Sequence, residues 1–342
     1  MNEIFVCGSG AVSPAGYGVA PFRESLARGQ PIPACDLQCP GWTHPLQVRS
    51  VPPPSPRPAF LSHPRLRRTS PVAQHTVAAA LEALGDHASR HVNGSERLGI
   101  LVCVMSGCVN YSRRFYDETL KEPVTASPLV FPETVFNAPA SHLAALLGTA
   151  AINYTLVGDP GTFLQAIALA ADWLLNDRVD ACLVIGSEEM DWLTAEAFHL
   201  FDRSIVLGEG AGALYLRREP NQDSPIRLLA ITQPQLFSNQ QTRAQAARRV
   251  RAALGPPDKA ELLCDGLQDS SRIDRAEAAA WRDWPGPRLS PKIVLGEGMM
   301  AAAAWQCVAA IEAIRRGQSS TATVSVVGSN EQAIAARFIK NT

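Results

Sequence analysis

Apolar and polar positions alternate along this chain in two different periods. Short apolar runs at residues 4–7, 98–104, 152–157 and 181–185 are bounded by Gly, Pro or Asp and predict strands buried on both faces. Longer stretches carry apolar residues at helical spacing. One covers residues 71–84, with Ser70 placed to cap it and Pro71 suited to its first turn. Others cover residues 141–147, stopping at Gly148, and residues 162–175. Gly8 to Pro14 predicts a Gly-rich loop, and residues 40–70, rich in Pro and Arg, a long surface loop. Residues 208–216 predict a Gly-rich turn running into a strand.

A weaker copy of this order follows. Strands are predicted at 226–231 and 261–264, and helices at 242–254 and 274–281. Residues 292–295 lead into an alanine-rich helix over 299–314, and 321–327 reads as the last clear strand. The alternation predicts an α/β protein with mostly buried sheets. The halves, residues 1–216 and 217–342, meet at a polar, turn-rich junction over 217–225.

Composition narrows the function classes. The formal net charge of −1 argues against a nucleic-acid binder. No apolar run reaches the length of a membrane span, and the first residues lack the cationic start of a signal peptide. Eight cysteines are scattered, several in strand-like runs, and predict free thiols in a reducing cytoplasm. Cys35 and Cys39 have no second ligand pair, so no zinc site is expected.

The chemistry centres on residues 153–167. The strand, the tight turn Gly158-Asp159-Pro160-Gly161 and the helix after it have the form that aims an activated nucleophile from a helix N-terminus. None of the four turn residues is a cysteine or serine.

Four segments in order resemble the β-ketoacyl synthase family, of the thiolase fold. They are Val6-Cys-Gly-Ser-Gly-Ala-Val-Ser-Pro-Ala-Gly16, Val135-Phe-Asn-Ala-Pro-Ala-Ser-His-Leu-Ala144, Leu207-Gly-Glu-Gly-Ala-Gly-Ala-Leu214 and Val327-Gly-Ser-Asn330. The resemblance implies a five-layer αβαβα fold of two similar halves, a dimer formed through the strand around Tyr154, and no cofactor.

It also implies where the reacting groups belong. The family's nucleophilic cysteine falls on Pro160, counting back from Ala166 and Ile167. Its first histidine falls on Gly266, ahead of the matching acidic residues Asp274 and Glu277. Its second histidine follows a Lys-x-x-x-Gly pattern and falls on Glu297, leaving Lys292 as the retained residue. Decarboxylative condensation needs a thiolate and neutral imidazoles. Proline, glycine and a carboxylate supply neither.

Three functional readings stay open. The first is a non-condensing subunit like the chain-length factor of type II polyketide or aryl-polyene systems. It would pair with an active ketosynthase, or with itself, and would serve an acyl carrier protein bearing a phosphopantetheine-bound chain. Ser106, Cys108, Tyr111, Phe115 and Tyr154 would then face the interface and tunnel. The best-known chain-length factors carry glutamine at the nucleophile position, which this chain lacks. The second is an enzyme of altered chemistry (acyl transfer, decarboxylation or thioester hydrolysis) using Asp159 and Glu297 beside Lys292. Against it, Asp159 also suits a helix cap, and Glu297 with Lys292 a buried ion pair. Cys108 as a displaced nucleophile competes with simple packing. The third is a stand-alone acyl-binding scaffold. Two basic clusters, Arg65, Arg67 and Arg68, and Arg248, Arg249 and Arg251, would suit an acidic carrier protein; a solvated face is the alternative.

Overall fold

The computed structural model describes residues 3–39, 41–92, 96–149, 152–220 and 225–341. Residue 40 of the expected loop and residues 221–224 of the expected junction lie outside them.

The main path of the large sheet holds ten strands. From one edge they run Arg288–Leu289, Leu262–Cys264, Thr321–Val327, Gln332–Lys340 and Ile226–Ile231, then Phe5–Ser13, Gly210–Arg217, Ala181–Glu188, Leu98–Val104 and Asn153–Val157. The two sets of five repeat one plan. In each, the first strand pairs antiparallel with the last, the last pairs antiparallel with its predecessor, and the remaining pairs are parallel. The sets meet through two residue pairs, Phe5 with Arg227 and Val6 with Ile226.

Helices make the other layers. Pro71–Leu84 covers the outer face of the first set and Arg243–Leu254 with Ser271–Ala280 the outer face of the second. Thr162–Leu175 and Met300–Arg315 lie between the sets. The result is the αβαβα thiolase-like arrangement. Met300–Arg315 is buried at every position before its last residue. Its run Ala301 to Ala304 lets strands approach from both sides, and Trp305 fixes its rotation by donating from Nε1 to the carbonyls of Val12 (3.0 Å) and Ala211 (3.1 Å).

Several predicted elements form as read. Helices Pro71–Leu84 and Thr162–Leu175 and strands Leu98–Val104, Ile226–Ile231 and Thr321–Val327 have the expected bounds. Three expectations are corrected. Residues 8–13 are not a loop but the continuation of strand Phe5–Ser13. The glycines there serve close packing, because a Cβ on Gly8 would sit 1.8 Å from the Ala83 carbonyl oxygen and one on Gly10 2.0 Å from that of Ala79. Within residues 40–70, strand Leu46–Arg49 and a short helical turn at Ala59–Ser62 form, and Leu46, Val48, Leu61 and Leu66 are buried. Residues 321–327 are not the last strand, since Gln332–Lys340 follows and is buried over most of its length.

The contact at Gly8 yields a test. Gly8→Ala forces the helix Pro71–Leu84 off the sheet and will cost about 1–3 kcal/mol by overpacking, read as a lower urea midpoint at unchanged m-value.

Candidate functional site

The turn Gly158 to Gly161 joins edge strand Asn153–Val157 to helix Thr162–Leu175. Asp159, Pro160 and Gly161 are all buried. Asp159 accepts hydrogen bonds from Gly161 N (2.9 Å) and Glu331 N (3.2 Å), so its carboxylate ties this turn to the C-terminal turn. A Cβ on Gly328 would fall 1.8 Å from Asp159 Oδ2, and one on Gly161 2.8 Å from Gln332. The turn that carries Pro160 is therefore packed under residues 328–332. Burial pushes the Asp159 carboxyl up against the pull of its backbone donors.

Gly266, Glu277, Lys292 and Glu297 form a separate polar cluster at the N-terminal end of Met300–Arg315. Lys292 Nζ lies 2.7 Å from Glu297 Oε2, with the two side chains 4% and 2% exposed. Glu297 Oε1 accepts from Met299 N at 2.7 Å. That bond holds Met299 at φ 50°, a strained conformation for a residue with a side chain. Glu277 accepts from Gly266 N at 3.2 Å and from Ser325 Oγ, whose own partner is Trp281 Nε1 (2.9 Å). Burial and the nearby Asp265 push Glu277 up to about 7, while Ser325 and Lys292 pull it down. A Cβ on Gly266 would meet Glu277 Oε2 at 2.9 Å, so no histidine fits there with Glu277 as it stands.

Asp159 and Glu297 are thus engaged with different partners. The residue between them is Arg243, which donates to the carbonyls of Val327 and Ser329 (3.2 Å each) and feels Glu277, Asp159, Glu297 and Asp274 electrostatically.

Three glutamates, Glu188 and Glu189 buried and Glu209 half-buried, were not singled out in the sequence. Glu188 accepts from Met105 N and from Ser106 N and Oγ, and burial pushes it up to about 8. Glu189 accepts from Val72 N (3.0 Å) and Asn110 N (2.8 Å), and burial takes it to about 7. Glu209 accepts from Val51 N and Met190 N. The visible signal was the Glu188-Glu189 pair closing an apolar strand. Glu189 serves helix Pro71–Leu84 in place of Ser70, whose side chain makes no cap and points a hydroxyl at Cys108 Sγ (3.7 Å).

The expected interface residues spread along one side. Cys108 is 2% exposed and burial pushes its thiol up to about 12, which suits packing and not attack. Ser106 is held by Glu188. Tyr111 and Phe115 lie half-buried on helix Val109–Lys121, Phe115 against Phe131 (5.4 Å between rings). Tyr154 stacks edge-on over Trp173 (5.1 Å) and is 47% exposed. Among the described residues its strand forms one edge of the large sheet, paired with Leu98–Val104.

Of the basic residues, Arg65, Arg67 and Arg68 are exposed. Arg249 donates to Gln241. Arg248 lines a groove of about 850 Å³ together with Arg243, Arg272, Arg275, Arg282 and Arg288. Five of these six were missed, because they come together only when Arg243–Leu254 packs on Ser271–Ala280.

Residues 1–222 match the family model described as "Beta-ketoacyl synthase, N-terminal domain". The chain belongs to the β-ketoacyl synthase family. A putative mitochondrial 3-oxoacyl-[acyl-carrier-protein] synthase of Schizosaccharomyces pombe is 24% identical over 248 residues, 63% of this chain and 58% of that relative's length. Solved structures show the same fold. A ketosynthase in complex with its chain length factor from Xenorhabdus doucetiae has a TM-score of 0.80 at 16% identity, covering 99% of this chain and 98% of that one. The ishigamide ketosynthase/chain length factor has a TM-score of 0.79 at 20% identity, covering 99% and 100%. A β-ketoacyl synthase from Burkholderia phymatum STM815 has a TM-score of 0.79 at 17% identity, covering all of both chains.

Among the described residues no helix is long and apolar enough to cross a membrane, and no cluster of metal-ligating side chains forms.

Proposed function

We propose that this β-ketoacyl synthase family member is a non-condensing subunit. It pairs with an active ketosynthase and forms part of the wall of a shared acyl tunnel in polyketide or fatty-acid-like biosynthesis. The observation that carries this reading is Glu297. It stands where the family places a histidine, and it is locked by Lys292 and the Met299 amide. An ionised carboxylate there repels an enolate instead of stabilising it. Pro160 and Gly266 add no nucleophile and no proton donor.

Pairing is supported by the sheet edge at Asn153–Val157, where Tyr154 and Val157 expose apolar surface beside Val135 and Phe136. The division into residues 1–216 and 217–342 belongs to the same reading, and the repeated strand order supports it. An acidic carrier protein suits the arginine groove through Arg248, with Arg65, Arg67, Arg68 and Arg249 as outlying charges.

Co-expression with candidate ketosynthases tests this. The chain alone is expected to form no acyl-enzyme. With its partner it elutes as a heterodimer that condenses acyl and malonyl carrier-protein substrates, and Tyr154→Asp abolishes both pairing and product. Turnover of an acyl thioester by this chain alone, lost in Glu297→Ala, would overturn the reading.

A further inference from the structure

A second cavity, of about 400 Å³, has neither Lys292 nor Glu297 in its lining. The pair sits at the N-terminal end of Met300–Arg315, and the cavity lies along its C-terminal half. The helix has 16 residues, about 24 Å of axis at 1.5 Å per residue. The cavity is closed on one side by helix Val19–Arg28 and on the other by Leu262 and Leu289. Its apolar wall is Phe22, Leu26, Leu262, Leu289, Ala309 and Ala313.

The charged groups at its rim are Arg23, Arg288, Arg316 and Glu312. Glu312 is already occupied, accepting from Ser9 Oγ (2.9 Å) and Arg315 (2.6 Å) with Arg23 at 3.7 Å. Arg288 donates to the Trp281 carbonyl and faces Asp265 at 3.9 Å. Two donors are unspent among the described residues. Arg316 is exposed, and its guanidinium has no hydrogen-bonding or ionic partner. Arg23 Nε is buried with no acceptor. A buried N–H without an acceptor is costly unless something fills the role. An apolar pocket with two free guanidinium donors at one end matches a molecule that is apolar along its length and singly anionic at its tip.

We propose that this cavity binds a linear aliphatic monocarboxylate, with its tail against Phe22, Leu26 and Leu289 and its carboxylate on Arg316 and Arg23. The proposal is independent of ketosynthase pairing, because the cavity and the cluster around Lys292 have no lining residue in common.

Calorimetric titration of the full chain with butanoate, hexanoate and octanoate tests it, with 1-octanol as the uncharged control. Affinity is expected to rise roughly fourfold per added methylene, and octanoate to bind more tightly than 1-octanol. In Arg316→Ala the advantage of octanoate over 1-octanol shrinks, and with Arg23→Ala added the two bind alike. Ala27 is exposed at the rim, so Ala27→Trp folds and blocks the mouth, removing both. Failure of octanoate to saturate the wild-type chain overturns the proposal. So does octanoate binding that survives Ala27→Trp, and so does equal wild-type affinity for octanoate and octanol.

Discussion

Lys292→Met will destabilise the chain by about 3–5 kcal/mol, the usual cost of removing one partner from a buried ion pair. The loss comes less from the missing attraction than from what remains. Glu297 stays buried at 2% exposure, still bound to the Met299 amide, with no cation and with Glu277 close by. The double variant Lys292→Met/Glu297→Gln removes the stranded charge and keeps an acceptor for Met299 N, and will recover most of the stability. Urea unfolding of the wild type and both variants decides the point. A single variant within 1 kcal/mol of wild type would mean that water reaches the pair. The expected loss, restored in the double variant, assigns Lys292 to holding the fold.

The sequence reading reached this pair because Lys292-Ile-Val-Leu-Gly296 is a contiguous pattern. It reached the main layers for a similar reason. Strands such as Leu98–Val104 are apolar at nearly every position, and helices such as Pro71–Leu84 carry their own start and stop residues. What it missed depends on partners distant in sequence. Gln332–Lys340 contains Arg337, which reads locally as a surface residue. In the fold, Arg337 Nε donates to Glu261 Oε1 (2.8 Å) and its Nη1 to the Leu254 carbonyl (2.8 Å), so the charge is buried between the sheet and the end of helix Arg243–Leu254. Gly8 and Gly10 read as loop residues, yet their purpose is contact with a helix some seventy residues later. Asp159 reads as a helix cap before Pro160, but the helix begins at Thr162 with Gly161 at its cap position and no side-chain cap bond; Asp159 instead closes the turn through Gly161 N, and its second bond, to Glu331 N, is set by tertiary packing. The arginine groove has the same origin, with charges from two packed helices and from Arg282 and Arg288 beyond the second of them.

Stability will fall by about 3 kcal/mol between pH 6.5 and 8, at 1.4 kcal/mol per proton per pH unit. The sign follows from burial. Glu188 titrates near 8 and Glu189 and Glu277 near 7 in the folded chain, against an ordinary value of 4.5. The folded state therefore holds protons that the unfolded chain has released, and the stability they confer is present below pH 4.5 and lost as pH rises through the folded values. Below 6.5 an opposite effect enters. Burial pushes His75, His87 and His91 down, so in acid the unfolded chain takes up protons these residues refuse. Three histidines then oppose three glutamates, which flattens the profile on the acid side and leaves the alkaline fall exposed. Glu188→Gln isolates the largest contribution. Whatever it does to absolute stability, it will shrink the fall between pH 6.5 and 8 by about 1.5 kcal/mol, because Glu188 stays mostly protonated until the top of that interval. Urea unfolding of the wild type and Glu188→Gln at half-unit steps of pH measures both. Equal slopes in the two proteins would place a charged Glu188 in the fold at neutral pH, held by the Met105 and Ser106 donors.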